Sequence, residues 1–100
     1  MREGTLPMKT INIKLSLPHV QEMDDRGQLN PYYITDFINK HIGNEIEDHP
    51  VGRLGYYYAL KVDEKLHNTV ATRAKKEGLA MGELLGRLFL SYYDGMKANG

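Results

Sequence analysis

The side chains best able to do chemistry in this chain are its four histidines and seven tyrosines. His19, His41, His49 and His67 contain no i,i+4 pair and are accompanied by no cysteine. They therefore lack the spacing of zinc ligands, and surface or capping roles are the expectation, with no metal site. The tyrosines fall into the clusters Tyr32-Tyr33, Tyr56-Tyr57-Tyr58 and Tyr92-Tyr93. Aromatic rings of this kind can stack on unpaired bases. Neighbouring side chains on a strand or helix point in different directions, however, so each cluster is expected to give one ring to the core and one to the surface. No Gly-rich phosphate loop, nucleophile elbow or paired-carboxylate arrangement stands out. The expectation is a protein without catalytic residues and without a cofactor.

The elements that position these residues must come from a short chain. One hundred residues is about the size of one compact domain, so any subdivision involves very small units. Hydrophobic residues make up 41% and charged residues 26%, which is globular composition and not the signature of disorder. With no cysteine, disulfides and cysteine-ligated metals are excluded, and a reducing cytoplasm is the expected setting. No apolar run reaches the length of a membrane span, and Met1 to Pro7 lacks the apolar core of a secretory signal. Net charge is zero, yet the halves differ: residues 1 to 50 carry five Lys or Arg against eight Asp or Glu, and residues 51 to 100 carry eight against five.

Thr10 to Leu17 alternates strictly, with Ile11, Ile13, Leu15 and Leu17 on one face and Thr10, Asn12, Lys14 and Ser16 on the other. This predicts a half-buried strand over 9–17, stopped by Pro18. A short helix with Val20 and Met23 follows from Pro18 to Arg26 and ends at Gly27. Asn30-Pro31 is a helix start, and Ile34, Phe37, Ile38 and Ile42 form one stripe of a second helix. Residues 43–55, with Gly43, Pro50, Gly52, Gly55 and the acids Glu45, Glu47 and Asp48, read as a linker. The order then repeats. A strand spans 56–62, a helix runs from about Asp63 to Glu77 with Leu66, Val70 and Ala74 on one face, and Gly78 precedes a last helix. That helix begins near Ala80 and carries Met81, Leu84, Leu85, Leu88, Phe89 and Tyr92.

Tyr58-Ala59-Leu60-Lys61-Val62-Asp63-Glu64-Lys65-Leu66 and Gly78-Leu79-Ala80-Met81-Gly82-Glu83-Leu84-Leu85-Gly86-Arg87-Leu88 resemble the strand, first helix, turn and second helix of the ribbon-helix-helix family of Arc, MetJ and CopG. The match covers roughly 56–96. Gly27 to Ile38 resembles the same turn and second helix more loosely, and two units in one polypeptide are similar to the tandem architecture of TraY. The family's usual turn, Gly-x-Ser-x-Ser-Glu, has Ala80 and Gly82 here in place of its hydroxyl residues.

The resemblance implies an α+β, mainly helical fold: a two-stranded antiparallel ribbon over four helices, built from an N-terminal arm (1–8), a first unit (9–42), the linker and a second unit (56–97). The units would pair within one chain as a pseudo-dimer or across a homodimer, and the thirteen-residue linker, reaching about 45 Å when extended, permits both. It also implies that Thr10, Asn12, Lys14, Tyr57, Ala59 and Lys61 read base edges of double-stranded DNA in the major groove. Asn30, Tyr32, Ala80, Met81 and Gly82, at the starts of the second helices, would contact phosphates. The implied role is a repressor or an accessory protein on a plasmid, phage or conjugative element. The alternative is an interaction module, such as an antitoxin or antirepressor, that keeps the fold to bind a protein partner; the neutral charge and the missing hydroxyls favour that alternative.

Overall fold

The computed structural model of the chain describes residues 8–46, 48, 50–52 and 55–93. Its elements are β1 (Met8–Ser16), α1 (Leu17–Asp25), α2 (Pro31–His41), β2 (Gly55–Asp63), α3 (Glu64–Glu77) and α4 (Met81–Tyr92). The architecture is α+β and mostly helical, with one two-stranded sheet in which β1 pairs antiparallel with β2 of the same chain. Each strand leads into two helices.

The two halves use the same local devices. Ser16 caps α1 by accepting the His19 N–H at 3.3 Å, and Asp63 caps α3 by accepting the Leu66 N–H at 2.8 Å. Both first helices end in the same closure around a left-handed glycine, Gly27 at φ 70° and Gly78 at φ 72°. In one the Gln28 N–H reaches Met23 O, and in the other the Leu79 N–H reaches Ala74 O, a pattern that satisfies the last helical carbonyls. The halves differ in length, since α1 has 9 residues and α3 has 14. They also differ at the next start. Asn30 caps α2 by accepting the Tyr33 N–H at 2.9 Å, whereas Ala80 gives α4 no side-chain cap.

The period-two pattern sends Ile11, Ile13, Leu15, Leu60 and Val62 into a single core with Met23, Ile34, Phe37, Ile38, Val70, Ala74 and the apolar face of α4. Full burial of each such side chain contributes about 1.5–3 kcal/mol. Tyr58, on the same face of β2, is half-buried. Across the halves Phe37 stacks on Phe89 with ring centroids 4.0 Å apart, and the Tyr93 hydroxyl donates to Gln28 Oε1 at 2.6 Å.

Several boundaries differ from the sequence expectation. Leu17, expected on the apolar strand face, is the first residue of α1 and is 43% exposed, because Ser16 is already the cap and the chain turns there. Met8 belongs to β1 and not to an arm, and Gly55 belongs to β2 and not to the linker. Within that linker Val51 is buried, and its N–H donates to Glu83 Oε2 at 3.0 Å, so this part of the connection is pinned to α4. Residues 1–7 of the expected arm and 94–97 of the expected second unit lie outside the described residues.

Candidate nucleic-acid interface

Strand register decides whether the six outward residues form one surface. Thr10 pairs with Lys61, Asn12 with Ala59 and Lys14 with Tyr57, so the six occupy three successive cross-strand positions on the face away from the core. Thr10, Asn12, Tyr57, Ala59 and Lys61 are exposed. Lys14 departs from this pattern, since only 22% of its side chain is accessible. The face offers an amide, an aliphatic ammonium, hydroxyls and a methyl, a set able to hydrogen-bond base edges or touch a thymine methyl.

The free edge of β1 is closed by α4. The carbonyls of Asn12 and Lys14, two residues apart, point the same way, and they meet Gly82 and Gly86, four residues apart on the helix. The steps match, since four helical residues rise about 6.0 Å and two strand residues about 6.6 Å. A Cβ at either glycine would lie closer than 3.0 Å to the facing carbonyl oxygen, so only glycine permits this approach. Counted from the helix caps, α2 has Tyr32 and Asp36 where α4 has Gly82 and Gly86. α2 is not seated on the edge of β2 in the way that α4 is seated on β1. A groove of about 880 Å³ remains there, lined by Tyr32, Asp36, Lys61, Val62 and Asp63 among others.

Between the two glycines stands Glu83. It accepts from Arg87 Nε at 2.9 Å and from the Val51 N–H, and it lies 4.0 Å from the Lys14 ammonium. Burial alone would raise its pKa. The Arg87 and Val51 hydrogen bonds, with the charges of Arg87 and Lys14, outweigh burial and hold the carboxyl below its usual range. Arg87 also reaches Asp48 at 3.3 Å. Sequence reasoning missed Glu83 as a partner of the outward face. The signal was present in the i,i+4 spacing of Glu83 with Arg87 and of Gly82 with Gly86.

The expected phosphate contacts flank the sheet unequally. At the start of α4 the N–H groups of Met81 and Gly82 precede the first intrahelical bond, which runs from Leu84 N–H to Ala80 O, and no side chain caps them. Gly82 places this end beside Asn12. At the start of α2, Pro31 has no N–H, and Asn30 is occupied on both sides, accepting from Tyr33 and donating to Gly27 O at 2.9 Å. Tyr32 is 87% exposed.

The histidines take packing and capping places. His19 bonds Ser16 Oγ at 2.6 Å and packs on Tyr93, and burial lowers its pKa. His41 stacks on Tyr92, whose hydroxyl donates to Glu45 O. His67 Nδ1 is buried without a partner, and His49 lies outside the described residues. Among the described residues no three histidines or carboxylates gather as a metal site would require. The tyrosine clusters split as expected in two cases: Tyr33 and Tyr58 are half-buried beside exposed Tyr32, Tyr56 and Tyr57. At the third, Tyr93 is buried and Tyr92 half-buried.

Among the described residues no helix is long and apolar enough to cross a membrane. Compared with known proteins, the chain matches no family model, no curated protein and no solved structure.

Proposed function

We propose that this chain is a tandem ribbon-helix-helix protein of the cytoplasm, and that it binds double-stranded DNA by laying the outer face of its β1–β2 ribbon in the major groove. The observation that carries this reading is the register: three outward polar residues of β1 and three outward residues of β2 fall opposite one another, Thr10 with Lys61, Asn12 with Ala59 and Lys14 with Tyr57. A two-stranded ribbon fits that groove, and each base pair presents a distinct donor and acceptor pattern there. The uncapped start of α4 beside Asn12 supports a phosphate contact at one flank. Zero net charge is compatible with this role because the six outward residues include two lysines and no acid, and Asp63 at the end of β2 is taken up in capping α3. The biological role that follows is a repressor or an accessory protein that organises DNA on a mobile element.

The test is the shift of random duplex DNA at several salt concentrations, followed by selection of a preferred site from a random library. Lys61→Ala should weaken the preferred site by about 1–3 kcal/mol and relax base preference there. A lysine that meets only phosphate would weaken all sequences alike and lower the salt slope by about one. Failure of the wild-type protein to bind any duplex at low salt would sink the DNA reading.

A second reading, a protein-interaction module, is favoured by the groove beside β2, where the open strand edge and Tyr32 stand uncovered. Loss of partner binding on Tyr32→Ala with duplex binding absent throughout would support it instead.

A further inference from the structure

The two lysines that occupy corresponding places near the ends of their strands are not equivalent. Lys61 is exposed and, among the described residues, has no ion-pair partner. Lys14 is turned back. Its stem runs over Gly55, where a Cβ would come within 3.1 Å of Lys14 Cγ and 3.2 Å of Lys14 Cε, so the bare glycine is what leaves room for it. Its ammonium ends 4.0 Å from Glu83 Oε1, with 22% and 17% of the two side chains accessible. Glu83 is itself fixed, by Arg87 Nε at 2.9 Å and the Val51 N–H at 3.0 Å, on a helix seated closely against the β1 carbonyls at Gly82 and Gly86. The carboxylate is therefore a rigid anchor, and the flexible four-carbon stem of Lys14 is the only member of the pair free to move.

We propose that Glu83 is a specificity-determining residue of the ribbon, holding Lys14 laid down over Gly55 toward the carboxylate so that this lysine projects from the outer face only after release. The proposal rests on the groove-reading role of the ribbon. Its consequence is a site read unequally, with the Lys61 half engaged from the start and the Lys14 half contributing after release. An exposed or half-exposed pair of this kind is weak enough for phosphate or a guanine edge to compete for the lysine. The neutral Gln retains an oxygen for the Val51 N–H but gives up the charge that holds Lys14.

The experiment compares wild type, Glu83→Gln, Lys14→Ala and the double variant on the selected duplex, with folding of each checked by thermal melting. Release of Lys14 should tighten binding of Glu83→Gln by about two- to fivefold. The gain should vanish in the double variant, because the lysine it liberates is gone. A gain of the same size without Lys14 would mean that Glu83 merely repels phosphate, and no gain at all would mean that Lys14 is not restrained; either overturns the proposal. The side-chain signals of Lys14 in NMR give a reading without DNA. Glu83→Gln should increase the rotamer averaging of its ε-methylene and the solvent exchange of its ammonium while Lys61 stays unchanged, and unchanged Lys14 signals would overturn the proposal. If wild type binds no duplex, the DNA reading fails and the NMR comparison alone decides the restraint.

Discussion

Replacing Gly86 with alanine adds one methyl group at the place where α4 touches β1. That methyl would meet Lys14 O inside the 3.0 Å that real Cβ contacts keep, Lys14 C at 3.2 Å and Val51 Cγ2 at 2.7 Å. Two of these three atoms are strand backbone, fixed by pairing with β2, so α4 has to move and Val51 with it. The helix carries Leu84, Leu85 and Leu88 at 0% and Phe89 at 1% exposure, and its withdrawal loosens their contacts with the rest of the core. Overpacking of this kind costs about 1–3 kcal/mol. Alanine recovers about 1 kcal/mol of helix propensity over glycine, so it offsets the lower end of that range and not the upper. Because the methyl meets strand backbone, the cost falls at about 2–3 kcal/mol, and the expected net loss is about 1–2 kcal/mol, at roughly 4–8 °C in melting temperature per kcal/mol for a domain near this size. Urea denaturation followed by circular dichroism measures it. Gly43→Ala is the control, because nothing lies within 4 Å of its Cβ position, and it should stay within about 0.5 kcal/mol of wild type. Gly86→Ala as stable as wild type, or more stable, would refute the close seating of α4 on the edge of β1.

Other perturbations test the core, the caps and the titrating groups. Leu60→Ala or Leu84→Ala, each fully buried, should lower stability by about 2–5 kcal/mol in the same denaturation assay, and a loss under about 0.5 kcal/mol would mean the core is elsewhere. Ala80→Asp supplies the side-chain cap that α4 lacks and should stabilise by about 0.5–2 kcal/mol; destabilisation would show that the start of α4 is already satisfied. Burial lowers the His19 pKa, so the unfolded chain takes up a proton more readily; the His19 contribution is present above about pH 6.5 and is lost as pH falls through the folded pKa. Melts of wild type and His19→Gln should diverge in slope below that pH, and parallel curves would rule the coupling out. Glu83 has the same sign at lower pH: its carboxyl is held below 4.5, and the stability it contributes disappears as acid protonates it, an effect that Glu83→Gln should remove.

The sequence by itself determined the elements and their inward faces. The alternation from Thr10 to Ser16, the Asn30-Pro31 start and the left-handed glycines Gly27 and Gly78 are local signals, readable because strand period, capping and positive φ act over a few residues. The end of β1 was readable to one residue only, since Leu17 continues the apolar alternation while the Ser16 cap has already begun a helix. Tertiary structure decided that the two strands pair within one chain, in the register that sets Thr10, Asn12 and Lys14 opposite Lys61, Ala59 and Tyr57. It alone showed that Gly82 and Gly86 seat α4 on β1 while a groove lined by Tyr32 and Asp36 remains beside β2. It also drew the supposed linker onto α4 through Val51 and Glu83, and laid Lys14 down over Gly55 toward Glu83. Periodicity fixes which way a side chain points along its own element, but not which distant backbone that element lies against, and these last features all depend on contacts between residues far apart in the chain.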